Sequence, residues 1–262
     1  MRAILTGELP SIATSYFGIL TRKRRGLSSS DAMPHITRDA GGLVLDPAWL
    51  AAYRQCVGLP PDGVLPPLAL QLAAAPLHLS LLADARFPFP ALGLVHVSQR
   101  ITQYAKVPDG ARFSLSCSTE PATPSPRGMR FLLVTQTRID GRLVQRAETL
   151  ALAPSGGNAA RTKPEAVPEA VRAPRIVADL EMPESIGRRY AAIAGDLNPI
   201  HQHALLAKPF GFSRAIVHGT YTLGRALAVS GLPAREAFVL DARFRRPVSL
   251  PSEVRVQAYS DD

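Results

Sequence analysis

The chain has 262 residues, 46% of them hydrophobic, which allows a sizeable packed core in one large domain or two small ones and argues against a wholly disordered protein. Lysine and arginine (30) outnumber aspartate and glutamate (21), so the net charge of +9 indicates an anionic partner. We expect a cytoplasmic protein, because no segment has the pattern of a secretory signal or a membrane span, and the two cysteines form neither a metal-ligand pair nor a disulfide framework.

In the first half, the sequence predicts two helices followed by strands. Asp46 and Pro47 are start signals for a short helix that contains Tyr53 and ends at Gly58. A second helix is predicted at 67–83, and because it is apolar nearly all round, other structure must enclose it. Strands are predicted at 93–104, 111–118, 129–139 and 142–153, the last two joined by a tight Asp-Gly turn.

The same order of elements returns in the second half. Residues 154–174 are rich in Pro, Gly and Ala and predict a linker. A short helix then begins near Pro183 and runs through Tyr190 to Gly195, with the Tyr-to-Gly spacing of the first half. An apolar helix is predicted at 216–230, and strands are predicted at 238–247 and 253–259.

The two halves align along their strands at an offset of 143 residues, with Arg100 opposite Arg243 and Pro108 opposite Pro251. We therefore predict an α+β fold of two units, each a curved antiparallel sheet around a central apolar helix, whose sheets can pair as a pseudo-dimer. Chance similarity between two stretches of helix and strand is the alternative.

The predicted boundaries are a first unit at 1–153, a linker at 154–174 and a second unit at 175–262. The second unit has no counterpart of the last two strands of the first. Either the chain is truncated there, or the second sheet ends with a bare edge.

The segment between the helices of the second unit carries the candidate catalytic residues. Gly195 ends a helix, so Asp196 and Asn198 are predicted in a loop, and Pro199 can begin a short helix with His201 in its first turn. A carboxylate and an imidazole so placed can reach one water molecule and act as a general acid/base pair. Alternatively, Asp and Asn are ordinary capping residues here, and the histidine is a packed core residue.

The run Gly-Asp-Leu-Asn-Pro-Ile-His at 195–201, followed by Ile-Val-His-Gly at 216–219, resembles the hydratase-2 motif of MaoC-like enzymes, which are (R)-specific enoyl-CoA hydratases and related acyl dehydratases. The resemblance covers about residues 175–262. The first half is similar only in architecture, as in the double hot-dog members of that family.

The resemblance implies hydration of trans-2-enoyl-CoA to (R)-3-hydroxyacyl-CoA, or the reverse dehydration. It assigns Asp196 and His201 to the reacting water, Asn198 to their orientation, and the backbone N–H of Gly219 to the thioester carbonyl. That last role suits the N-terminus of an apolar helix, where free N–H groups stabilise developing negative charge.

Substrate binding is predicted for four further residues near the motif: His218, Lys208, Arg214 and Arg245. The basic residues near the motif can bind the phosphates of coenzyme A or of a phosphopantetheine carrier: Lys208, Arg214, Arg225, Arg243, Arg245 and Arg246. Alternatively, they form a solvated basic surface. We predict no metal site, and no cofactor except the coenzyme A or phosphopantetheine of the substrate. The expected partner is an acyl-CoA or acyl-carrier-protein thioester, not nucleic acid or a membrane, for a monomer (an internal pseudo-dimer) or a homodimer.

The first half lacks the candidate acid/base pair. In the register set by the two tyrosines, Leu59 stands at the position of Asp196 and Val64 at that of His201. We therefore expect one active site per chain, with the first half enlarging the acyl-binding groove. Two other functions stay open: a non-catalytic acyl-CoA or acyl-carrier-protein binding module, and, supported by the charge alone, a nucleic-acid binder.

Overall fold

The computed structural model describes residues 4–27, 31–155, 175–231 and 236–259. In chain order the first half forms β1 (Leu5–Thr6), α1 (Ile12–Thr21), β2 (Thr37–Leu45), α2 (Pro47–Val57), α3 (Ala69–Ala73), α4 (Ala75–Ala83), β3 (Val95–Gln103), β4 (Phe113–Thr119), β5 (Thr123–Ser125), β6 (Gly128–Ile139) and β7 (Arg142–Pro154). The second half forms β8 (Arg175–Met182), α5 (Ile186–Ala194), a 3₁₀ turn (Pro199–His201), α6 (Ala204–Ala207), a second 3₁₀ turn (Lys208–Phe210), α7 (Gly219–Ser230), β9 (Phe238–Arg243) and β10 (Ser252–Ala258).

The short helix of each half ends where the sequence predicts. Asp46 caps α2 by accepting the N–H of Trp49 at 2.8 Å. Both helices end on a left-handed glycine, Gly58 with φ 80° and Gly195 with φ 71°, a conformation that an L-residue rarely adopts.

Two predicted helices are wrong in detail. The helix expected at 216–230 begins only at Gly219, because Ile216 pairs with Ser249 and His218 is extended. The helix expected at 67–83 is divided into α3 and α4 at Ala74, because Pro76 has no N–H to bond the carbonyl of Leu72 and its ring crowds that carbonyl. The predicted strands are all present with shifted ends, whereas α1, β2 and β8 were not predicted. Within the described residues, no helix combines the length and the apolar character that crossing a bilayer requires.

One antiparallel sheet spans both halves. Its strand order is β1-β2-β4-β6-β7-β3-β9, with β5 beside β6, while β10 pairs with β8 in a separate two-stranded sheet. The pairing of β3 with β9 joins the halves and confirms the predicted pairing of their sheets.

The register of this junction shows how the halves are related. Gln99 lies opposite Ala242, which comes 143 positions later in the chain. This separation equals the offset at which the sequences of the two halves align. On either side, Ser98 pairs with Arg243 and Arg100 with Asp241. At the offset of 143, Ser98 is equivalent to Asp241 and Arg100 to Arg243, so each of these two pairs becomes the other when the halves are exchanged. A two-fold relation between the halves requires this pattern.

A helix against a sheet in each half gives the molecule its double hot-dog fold. In the first half α3 and α4 are enclosed, with Leu68, Leu70, Leu77 and Leu81 at most 1% exposed. In the second half α7 buries only Tyr221 and Gly224 among its residues. The predicted linker, apart from Pro154 and Ser155, lies outside the described residues, and the domain boundaries stay a prediction.

Candidate active site

The loop after α5 positions the acidic member of the site. Gly195 turns the chain out of the helix, and the Asp196 side chain then accepts the N–H of Asn198 at 3.1 Å. The Asn198 side chain in turn accepts the N–H of Ile200 at 3.4 Å, which caps the 3₁₀ turn that holds His201. The loop and turn predicted for this segment are therefore confirmed.

Asp196, His201 and His218 meet at one point. The Oδ2 atom of Asp196 lies 3.9 Å from Nε2 of His201 and 3.9 Å from Nε2 of His218. These separations are too long for direct hydrogen bonds, but a water molecule can bridge such groups. The structure thus brings together the candidate pair, Asp196 and His201, and places beside them the imidazole of His218, which was predicted to bind substrate.

Hydrogen bonds to carbonyl groups determine which ring nitrogen of each histidine carries the proton. Nδ1 of His201 lies 2.8 Å from the carbonyl oxygen of Ile216 and must donate to it, so Nε2 of the neutral ring keeps a lone pair towards Asp196. Nε2 of His218 lies 3.2 Å from the backbone carbonyl oxygen of Asp196 and is the donor there. The two rings are stacked with centroids 3.7 Å apart.

The charges of the site depend on burial and on the close contacts. Burial alone would raise the pKa of the Asp196 carboxyl, but attraction to His218 and His201 and the Asn198 N–H hold that pKa below its ordinary value. Burial, then the neighbouring His201, lowers the pKa of His218 to about 4, although Asp196 opposes the shift. At neutral pH the site therefore contains a carboxylate beside an uncharged His218.

Gly219 is the first residue of α7, next to this group. The first N–H groups of a helix have no acceptor within it, and the His218 side chain makes no capping hydrogen bond. A Cβ atom at position 219 would lie 2.9 Å from the Phe244 ring, so the packing requires glycine. The N–H of Gly219 is therefore suited to an electronegative ligand atom, in agreement with the role that the motif implies.

These groups line a cavity of about 830 Å³ between the two halves. Asp196, His201 and Gly219 lie on the side of the second half, and Gln71, His78 and His96 on the side of the first. The surface of Asp196 that is exposed, 49% of its side chain, faces this cavity. The volume is typical of small-molecule sites, and the contribution of the first half agrees with the expected enlargement of an acyl groove.

The structure places only some of the predicted phosphate-binding residues at the cavity. Arg245 lines the cavity, with Arg243 and Arg246. Lys208 is exposed and Arg214 donates to the carbonyl oxygen of Pro251, and neither lines the cavity. Their binding roles stay predictions, since phosphates can also lie outside the cavity.

Three further arginines lie where the two halves meet. Arg225 donates to the carbonyl oxygen of Val57 at the end of α2, so its guanidinium fastens the two halves together. Arg127 and Arg130 line the cavity from the first half, and neither was predicted from the sequence. Only the strand order β6-β7-β3-β9 could have shown that they lie near the motif.

The histidines and the carboxylate also form a set that could hold a metal ion, although no metal site was predicted from the sequence. Their ligand atoms lie within 4.8 Å of one another. Tetrahedral zinc ligands are closer, roughly 3.4 Å apart for metal–ligand bonds of about 2.1 Å. Ion binding would thus require the three side chains to move together.

Comparisons with known proteins agree with the motif and the fold. The family described as MaoC like domain matches residues 159–262. The 3-hydroxyacyl-thioester dehydratase X of Mycobacterium tuberculosis is 30% identical over 239 residues, which cover 89% of this chain and 83% of that protein. The crystal structure of HtdX from the same organism superposes with a TM-score of 0.73 at 29% identity, covering 83% of this chain and 86% of that one. A MaoC-like dehydratase from Phytophthora capsici, 17% identical, has the same fold, with a TM-score of 0.64 over 85% of this chain and 84% of its own.

Proposed function

Because this chain belongs to the MaoC-like dehydratase family, we propose that Asp196 and His201 add water to the C2–C3 double bond of 2-enoyl thioesters and remove it from 3-hydroxyacyl thioesters. Family membership makes the chain a hydro-lyase that acts on acyl thioesters. One observation supports the roles proposed for Asp196 and His201. The carboxylate and the imidazole lie 3.9 Å apart and both line the cavity between the halves.

In the hydration direction the two side chains share the work on one water molecule. The lone pair on Nε2 of His201 accepts a proton from the water, because the other nitrogen is committed to the Ile216 carbonyl. The Asp196 carboxylate accepts a hydrogen bond from the second O–H of the water and orients it, and this hydrogen stays on the oxygen. The oxygen then bonds to C3, the C2–C3 π electrons move towards the thioester, and the proton held by His201 is delivered to C2.

Negative charge develops on the thioester oxygen during this step. The N–H of Gly219, at the positive end of α7, is placed to donate to that oxygen. A donor of this kind stabilises the transition state more than the ground state, because the charge on the oxygen grows as the C3–O bond forms. The same contact serves the reverse reaction.

The stereochemistry depends on the asymmetry of the cavity. The carboxylate, the imidazole and the helix N-terminus all belong to the second half, so water reaches the bound double bond from one face only. We propose that this face gives the (R)-3-hydroxyacyl product. Chiral analysis of the product tests the assignment, and an (S) product would overturn it.

The phosphate-bearing part of the substrate is assigned to the basic side of the cavity. Arg127, Arg130, Arg243, Arg245 and Arg246 line it, and Asp196 is the one carboxylate among the lining residues that the structure describes. Guanidinium groups bind phosphate strongly through paired hydrogen bonds. The proposed substrate is therefore a thioester of coenzyme A or of an acyl carrier protein.

The test is the loss of enoyl-thioester absorbance when the protein is added to trans-2-enoyl-CoA, and in a second assay to an enoyl-carrier-protein thioester. We expect turnover with at least one of them, and its loss in His201→Ala. The matched control is His203→Ala, an exposed histidine two positions later. Tight binding of both thioesters without turnover would instead favour a non-catalytic binding module.

A further inference from the structure

Helix α1, near the start of the chain, contacts the loop that carries Asp196. The Tyr16 hydroxyl oxygen lies 2.8 Å from the backbone nitrogen of Leu197 and 3.5 Å from the carbonyl oxygen of Gly195. A backbone N–H can only donate, so the hydroxyl accepts from Leu197 and directs its own proton towards Gly195, in a longer and weaker contact. These backbone groups belong to the two peptide groups that flank the Cα atom of Asp196. Tyr16 therefore contacts the chain on both sides of the proposed catalytic carboxylate.

The Asp196–Leu197 peptide group is hydrogen-bonded at both of its polar atoms. Its carbonyl oxygen accepts from Nε2 of His218 at 3.2 Å, and its N–H donates to Tyr16. This peptide is trans, so it is planar and its N–H and C=O point in opposite directions. His218 lines the cavity and Tyr16 does not. His218 thus holds the peptide from the side of the cavity, and Tyr16 holds it from the opposite side.

The orientation of this peptide matters for the reacting groups. If the peptide rotated, Nε2 of His218 would lose its acceptor, the carbonyl oxygen of Asp196. The Asp196 carboxylate is attached to the same Cα atom and accepts the N–H of Asn198, so the rotation would also disturb that contact. The 3.9 Å separations between the carboxylate and the two imidazoles depend on both contacts. The geometry of the acid/base pair therefore depends on a hydroxyl that lies outside the cavity.

Close packing determines where Tyr16 lies. A Cβ atom at Gly18 would be 3.4 Å from the Cβ atom of Ala83, so α1 packs directly against α4. A Cβ atom at Gly195 would be 4.0 Å from Cδ1 of Ile12, the first residue of α1, so the same helix also packs against the start of the catalytic loop. These contacts hold the tyrosine in one place relative to the loop, as a positioning role requires.

The environment of the Tyr16 hydroxyl keeps it protonated. Burial, then the negative charge of Asp196, raises the pKa of Tyr16 to about 12, although the hydrogen bond from Leu197 opposes the shift. At neutral pH the hydroxyl can therefore accept one hydrogen bond and donate another. A phenylalanine at this position would keep the aromatic ring and make neither bond.

We propose that Tyr16 is a positioning residue for the reaction: its hydroxyl fixes the peptide group after Asp196 and, through it, the direction of the Asp196 carboxylate. The proposal rests on the proposed function, because it requires that this carboxylate orient the reacting water. Tyr16 lies outside the cavity lining and acts only through the loop. Loss of its hydroxyl should consequently slow the chemical step and leave substrate binding unchanged.

The first experiment compares the kinetics of Tyr16→Phe and Tyr104→Phe. We expect Tyr16→Phe to lower kcat for hydration of an enoyl thioester by about tenfold with KM changed by less than about twofold, because a displaced carboxylate impairs the reaction but not binding. Tyr104 is the matched control, since it is 49% exposed and does not line the cavity, and its variant should keep kcat. An unchanged kcat in Tyr16→Phe, a rise in KM alone, or an equal loss in Tyr104→Phe overturns the proposal.

The second experiment measures hydrogen exchange of the Leu197 amide by NMR and needs no turnover. Without its acceptor this amide should exchange about tenfold faster in Tyr16→Phe, while the amides between β6 and β7 keep their rates and show that the variant is folded. Unchanged exchange at Leu197 contradicts the proposal. If the unmodified protein hydrates no enoyl thioester, the proposed function is wrong, and exchange alone decides whether Tyr16 holds the loop. Turnover that Tyr16→Phe leaves unchanged refutes this proposal alone.

Discussion

The two halves share a scaffold and differ in the loop after one helix. Each contains a fully buried tyrosine, Tyr53 or Tyr190, five residues before a left-handed glycine that ends the helix. Immediately after that glycine the first half has Leu59 and the second has Asp196. The first half thus keeps the same helix end without an Asp or a His in the loop, because the buried tyrosine and the glycine, not Asp196 and His201, position the loop.

The first half fills the corresponding space with an ion-pair network. Arg54, only 6% exposed, contacts Asp109 at 2.6 Å and Asp62 at 3.2 Å, and also donates to the carbonyl oxygen of Val64. The equivalent position in the second half, one residue after the tyrosine, is Ala191. A guanidinium closes the loop in one half, and a small side chain leaves the other loop free to border a cavity.

The largest expected effect tests whether only one half is catalytic. His201→Ala and Asp196→Asn should each lower kcat by about 10²–10⁴-fold, because each removes one partner of the proposed general acid/base pair. Substitutions at the equivalent first-half positions, Val64→Ala and Leu59→Asn, should leave kcat within about twofold. Steady-state hydration of an enoyl thioester measures all four. Comparable losses from both pairs would contradict a single active site.

The second effect concerns the N-terminus of α7. Gly219→Ala places a methyl group against Phe244, so the helix start or the ring must move and the N–H loses its aim at the thioester oxygen. We expect kcat to fall by about tenfold or more, with a smaller change in KM. Gly41→Ala, on β2 where a Cβ meets nothing within 4 Å, is the control and should be neutral for kcat. An unchanged kcat in Gly219→Ala would exclude this N–H from the reaction.

Local signals made much of the second-half site predictable, and long-range contacts explain the remainder. The stop at Gly195 and the turn at Pro199 depend on neighbouring residues only, so the sequence placed Asp196 and His201 correctly in the loop and turn. Gln71 and His96 reach the cavity only because α3 and β3 lie beside the second half, which no short pattern encodes. Strand β2 was missed because its sequence, Thr-Arg-Asp-Ala-Gly-Gly-Leu-Val-Leu, alternates too weakly to indicate a strand.

The third effect is on stability and tests the network of the first half. Arg54→Met keeps an apolar stem but leaves Asp109 and the Val64 carbonyl without their partner, so the free energy of unfolding should fall by about 2 kcal/mol, less than for a fully buried pair because both aspartates are partly exposed. Arg100→Met breaks the exposed pair with Asp241 and should cost less than about 0.5 kcal/mol. Urea denaturation gives both values. Equal costs would mean that Arg54 does not hold the first-half loop.

The fourth effect is a pH dependence of stability to which the two halves contribute unequally. Burial lowers the pKa of His78 and His96 in the first half, and of His218 in the second, to about 4. An unfolded chain protonates these rings near pH 6.5, so between about pH 6.5 and 4 it binds more protons than the folded chain, and stability falls as the pH decreases through that window. Each ring contributes up to about 1.4 kcal/mol per pH unit there.

The slope of unfolding free energy against pH therefore counts the buried rings of each half. His78→Gln should lower the slope between pH 4 and 6.5 by the amount that corresponds to about one bound proton, and the double variant with His96→Gln by about two. Of the three histidines, only His218 would then still contribute to the slope. His203→Gln, at an exposed position, should leave the slope unchanged. If the double variant kept the full slope, the acid sensitivity would lie in the second half. The stability of the first half would then not depend on keeping His78 and His96 uncharged.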